Sequence, residues 1–182
     1  MWTSLAVVAL VAAATAVPLK PVSAETVEAY IRDRGGRSTI DKFFPCDENG
    51  ESAYAQIASG DKRWLAIAVH LLDNSDACVT TSLLSSIGAA LPRAPANVLR
   101  LLETKPILTP SRAYLPFLSD EEDPNQQMRY LRRVESILRK FSDPSLRTQR
   151  DKCLREVRAM KVLIGKALRH RSGERDADRP AL

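Results

Sequence analysis

Histidine is almost missing from this chain: among 182 residues, only His70 and His170 carry an imidazole. A serine or cysteine nucleophile needs a base within hydrogen-bond reach, normally histidine. Covalent catalysis therefore has little to draw on, and no GxSxG elbow is present. His70 follows Val69 and reads as a surface or half-buried residue. His170 stands between Arg169 and Arg171 at a helix end, where a cationic ring favours the negative end of the helix dipole. Glycine is also scarce, at seven residues, and β-branched runs are few, which argues against a sandwich or barrel. Of the three cysteines, none has CxxC or CxxH spacing, so a zinc site has no support, and neither metal nor cofactor is expected. The densest acidic run, Asp120-Glu121-Glu122-Asp123, lacks the alternating oxygen ligands and turn glycine of a calcium loop.

Long apolar runs are absent too, except at the start. Leu5 to Val17 is apolar but short for a bilayer span. Pro18, Lys20 and Pro21 follow, then Val22-Ser23-Ala24, whose small residues match what a signal peptidase reads. A signal peptide over residues 1–24, cut after Ala24, is expected, leaving no stable membrane anchor and a periplasmic or secreted protein. Met1-Trp2-Thr3-Ser4 contains no Lys or Arg, so an uncleaved anchor or a buried N-terminal helix stays open as the alternative. Export would favour one disulfide among Cys46, Cys78 and Cys153, with three pairings open. The other reading makes all three small buried hydrophobes.

What the chain does have is alanine, leucine, arginine and glutamate, all strong helix formers. Punctuation by Gly, Pro and Asp divides it into short helices. The first is expected near 25–34, stopped by Gly35-Gly36, with Ser38-Thr39-Ile40-Asp41 resembling a capping box. Helices near 51–59, from Asp61, 77–91 and from Pro95 follow. Trp64, Ile67, Ala68 and Leu71 form one buried stripe, and Val79, Leu83, Ile87 and Ala90 another. Residues 105–123 read as irregular because Pro106, Pro110 and Pro116 forbid a long helix. Two longer helices close the chain, 124–141 and 144–169, and residues 171–182 read as a disordered tail. Helices this short must stack to bury their stripes. The expected fold is all-α: a single domain over 25–170, an irregular bundle of short antiparallel helix pairs, with HEAT- or TPR-like stacking as the open variant.

The run Glu51-Ser52-Ala53-Tyr54 through Ser59-Gly60, then Trp64-Leu65-Ala66, Ser75-Asp76-Ala77, Ala89-Ala90-Leu91 and Ala94-Pro95 through Val98-Leu99, resembles a group of uncharacterised exported proteobacterial proteins. The likeness covers about half of the chain beyond residue 24 and implies location and an all-helical fold more than an activity. In that group a cysteine precedes a Pro-Phe pair, where this chain has Ala113 ahead of Pro116-Phe117. Were the group's pair made with the cysteine matching Cys153, Cys153 here would need another partner.

Charge is polarised along the chain. Residues 1–127 hold 11 basic and 15 acidic side chains, a net of −4; residues 128–182 hold 16 and 7, a net of +9. Arg129, Arg132, Arg133 and Arg139 on one helix, with Arg147 and Arg150 on the next, form a candidate basic face for an acidic protein partner. Export and the lack of interleaved aromatics disfavour nucleic acid. The plain alternative is a solvated face, with Glu135, Asp151 and Glu156 making helix pairs. A second candidate is a groove lined by Glu48, Glu51, Tyr54 and Trp64. The leading expectation is an exported helical binding protein, of inhibitor or immunity type, acting on a periplasmic partner. The competing one is a peptidoglycan hydrolase using paired carboxylates of 48–51 or 120–123.

Overall fold

The computed structural model describes residues 22–105, 108 and 123–177, with side chains to Arg169. Among these the regular structure is helical: α1 Ala24–Phe43, α2 Glu51–Ala58, α3 Lys62–Leu72, α4 Ala77–Ala90, α5 Pro95–Thr104, α6 Pro124–Lys140 and α7 Arg147–Ala177. The chain is all-α, as its composition predicts. Short 3-10 turns at Glu48–Gly50 and Pro144–Leu146 lead into α2 and α7.

Local chemistry sets most boundaries. Asp61, Asp76 and Asp123 each accept backbone N–H bonds as N-caps of α3, α4 and α6. Pro95 and Pro124 occupy first-turn positions, where the missing N–H has no helical partner to lose. Gly35 breaks α1 with φ +79°, and the chain re-enters helix at Gly36. Ser38 therefore lies inside helix, and the expected capping box does not form. At the re-entry the Thr39 hydroxyl donates to the Gly35 carbonyl at 2.8 Å. The closing helix begins after a 3-10 turn rather than at Pro144, and runs past Arg169 to Ala177. The expected tail is thus helical as far as Ala177; residues 178–182 lie outside the described residues, as does the proposed signal segment through Pro21.

In the N-terminal half α1 stacks on α3 and α2 on α4. Arg63 at the start of α3 pairs with Glu25 and Glu28 at the start of α1, reaching Glu28 Oε2 at 2.6 Å. At the other end Gly36 presses on Asn74, just beyond α3, so closely that a Cβ would sit 2.6 Å from the amide nitrogen. The start of α1 meets the start of α3, and the break in α1 meets the end of α3, so the segment of α1 before Gly35 runs parallel to α3. Helices α2 and α4 also run parallel. Cys46 and Cys78 form a disulfide near their starts, with Cα atoms 6.2 Å apart. Near their ends, Arg93 Nη1 donates to the Ala58 carbonyl and Asn97 Nδ2 to the Gly60 carbonyl, each at 2.9 Å. The sequence reading expected chain neighbours to supply the main contacts. Here α1 packs chiefly on α3 and α2 on α4, each on the helix after next.

Helix α3 sits at the middle of this stack. Trp64, Leu65, Ile67, Ala68, Val69 and Leu71 are all buried, so it is covered on most sides. Each fully buried aliphatic side chain supplies about 1.5–3 kcal/mol of transfer free energy. The closing pair, α6 and α7, forms a long hairpin, the most extensive helix contact among the described residues. Phe141 beside the turn receives Arg150 on its carbonyl at 3.0 Å, while Glu135, further back, meets Arg158 and Lys161. Partners recede from the turn together, so this pair is antiparallel. Leu131, Val134 and Leu138 supply its α6 side, and Leu146, Cys153, Val157 and Ile164 the other. Tyr130 ties the hairpin to the stack by donating to the Gly88 carbonyl at 2.8 Å, and Arg100 of α5 reaches Asp143 in the hairpin turn at 3.6 Å.

Candidate functional site

The α6–α7 hairpin leaves a groove of about 500 Å³ along its open side, lined by Glu135, Arg139, Arg158, Lys161, Val162, Gly165 and Arg169. Its geometry follows from helical periodicity. Leu131, Val134 and Leu138 face the core, so Glu135 and Arg139, four residues apart, fall on the margin of that stripe. On α7, Val157 and Ile164 face the core, which brings Arg158, Lys161 and Gly165 to the facing margin.

Glu135 is the centre of the arrangement. Its side chain is only 9% exposed and accepts from Lys161 Nζ at 2.5 Å, Arg139 Nη2 at 2.7 Å and Arg158 Nε at 3.4 Å. A nearly buried carboxylate is tolerated only when charge and hydrogen bonds replace water. The Lys161 hydrogen bond, helped by Arg139 and Arg158, outweighs desolvation and draws the carboxyl down to about 2. Glu135 is thus an anion at any ordinary pH.

The other expected face residues scatter. Arg129, Arg132 and Arg133 are exposed together on the outer side of α6. Arg147 is exposed beside the hairpin turn. Arg150 is mostly covered: it pairs with Asp151 at 2.8 Å and donates to the Phe141 carbonyl that ends α6, a structural task. The basic face therefore divides into an outer patch, Arg129–Arg132–Arg133, and the groove. Sequence reasoning placed Glu135 in a helix pair with its neighbours. It missed that Arg158 and Lys161 join it, because that needs the hairpin register.

The second candidate, a groove of Glu48, Glu51, Tyr54 and Trp64, is not assembled. Trp64 is 5% exposed and belongs to the core. The Tyr54 hydroxyl donates to the Phe44 carbonyl at 2.8 Å, and its ring packs edge-on against Phe44, 5.6 Å between centroids. Desolvation pushes that phenol up. Glu48 and Glu51 are exposed on the short turn that opens α2. Of the acidic run, Asp123 is the α6 cap, its carboxyl held down first by the Asn125 N–H; residues 120–122 lie outside the described residues. Ser59 and Lys62 stand at SxxK spacing, yet the Ser59 hydroxyl closes α2 on the Gln56 carbonyl at 2.6 Å, and a helix break separates the two. His70 is exposed at the end of α3.

Among the described residues, no group of three or more His, Cys, Asp or Glu is placed to hold a metal. None of their helices is long and apolar enough to cross a membrane. Comparison of the chain with protein-family models, with curated proteins and with solved structures found no match in any of the three.

Proposed function

We propose that this is an exported helical binding protein, of inhibitor or immunity type, that works by occupying the surface of an acidic protein partner. The observation carrying this reading is the convergence of Arg139, Arg158 and Lys161 on the single carboxylate of Glu135, beside the exposed Arg129, Arg132 and Arg133. Among the described residues, three cations meet one carboxylate here, with further exposed arginines on the same helix. Such a surface raises association rates and selects partners by charge. The exposed disulfide fits an oxidising compartment.

The test is capture from an envelope extract across a salt series, comparing the wild type with R132Q/R133Q/R139Q. The triple variant should hold less partner and lose most of its salt dependence. Capture indifferent to the three charges would end the basic-face reading. N-terminal sequencing of protein recovered from the periplasm tests export, and an intact Met1 on cytosolic protein would refute it.

A further inference from the structure

The groove between α6 and α7 has an unusual charge balance. Three cations contact one carboxylate, and the side chains of Arg139 and Arg158 remain 61% and 55% exposed. Each guanidinium presents a planar fork of donors that matches a carboxylate, and Glu135 occupies only part of it. The floor beside these cations is apolar and low. Val162, 57% exposed like its neighbour Leu163, is the one that lines the groove. Gly165 follows one turn on. It is a poor helix former by about 1 kcal/mol against alanine, although a Cβ there would meet only Arg169 Nη1 at an ordinary 3.7 Å. Helix packing therefore does not require glycine at 165; its visible consequence is an open floor.

The geometry points to this groove as the seat of an acidic peptide segment of the partner, with carboxylates against Arg139, Arg158 and Lys161 and a small apolar side chain over Val162 and Gly165. The segment's carboxylates share the cations with Glu135, which holds them pre-arranged when the groove is empty. A flat lipid surface suits the site poorly, because Lys161 is only 28% exposed and contacts Glu135 inside a concavity. Nucleic acid suits it poorly because, among the described residues, no aromatic ring lines the groove for base stacking. This inference rests on the acidic-partner reading and narrows it to one site.

The experiment uses the full chain and a fluorescein-labelled peptide of alternating Glu and Ala, read by anisotropy at low salt. Gly165→Leu fills the floor and should weaken binding about tenfold while the melting temperature holds or rises. Val162→Glu, at an exposed position, places a competing carboxylate in the groove and should produce the same loss if G165L fails to fold. Glu135→Gln should tighten binding by about threefold although it destabilises the fold, a combination that a purely structural role does not give. If V162E and a folded G165L bind like the wild type while R132Q/R133Q binds weakly, the groove is wrong and the broader basic-face reading stands. If neither R132Q/R133Q nor R158Q/K161Q changes binding, both fall. Tighter, groove-dependent binding of phosphatidylglycerol vesicles or of a single-stranded oligonucleotide than of the peptide overturns the acidic segment as occupant.

Discussion

Lys161 Nζ lies 2.5 Å from Glu135 Oε2, joining the two long helices across a margin where the carboxylate has little access to water. Because the folded carboxyl titrates near 2 instead of its ordinary 4.5, the pair favours the folded state whenever the unfolded chain's Glu135 is ionised. That contribution is complete above about pH 4.5 and is lost as the pH falls toward 2. Acid titration of thermal stability should therefore show a loss in that window. E135Q should be less stable near neutrality and show a shallower decline below pH 4.5. An identical acid profile in the two proteins would contradict the assignment.

The disulfide joins Cys46, before α2, to Cys78 in the first turn of α4, closing a loop of sequence separation 32. Chain-entropy reasoning gives a link of that span about 3–4 kcal/mol. The double variant C46S/C78S should lower the unfolding free energy by that amount, read from denaturant unfolding, and a thiol reductant should do the same to the wild type and nothing to the variant. Cys153 is buried at 0% exposure and remains a thiol, so C153S should not remove this reductant sensitivity.

Gly60 ends α2 with φ +84°, and a Cβ on it would run into the Ala94 methyl. Two costs are combined at one residue. The left-handed backbone charges an L-residue about 1–2 kcal/mol, and the overlap adds a packing term. G60A should therefore be clearly destabilised in chemical denaturation. The double variant G60A/A94G should recover the packing part and leave the backbone part, so the two substitutions are non-additive in a double-mutant cycle.

Much of this architecture is legible in the sequence. The Asp61, Asp76 and Asp123 caps, Pro95 and Pro124 at first turns, and the Trp64–Leu71 and Val79–Ala90 stripes depend on residues within one helix of each other. Three-dimensional neighbours were not readable in the same way. The parallel stacking of α1 on α3 comes from contacts such as Arg63 with Glu28, 35 residues apart. No local pattern marks such a contact. The candidate site divides along the same line. Arg139 and Glu135 are visible as an i, i+4 pair, whereas Arg158 and Lys161 reach Glu135 only once the hairpin register is set. Tyr54 and Trp64 misled for the converse reason: aromatic residues close in sequence to exposed acids looked like a lined groove, but packing took both rings.

The folded unit begins before the expected cleavage point. Ser23 is the N-cap of α1, its hydroxyl accepting the Thr26 N–H at 3.2 Å, while Ala24 is buried and Val22 packs against the core. A chain that starts at Glu25 loses all three and places its α-ammonium at the positive end of the helix dipole. Loss of a serine cap alone costs about 1 kcal/mol, and for a domain of this size each such unit moves the melting temperature by about 2–4 °C. Proteins beginning at Val22 and at Glu25 should therefore differ by at least that much, with S23A in the longer form accounting for the cap's share. Equal melting temperatures would show that α1 frays at its start and that removal of Ser23 and Ala24 is harmless to the fold.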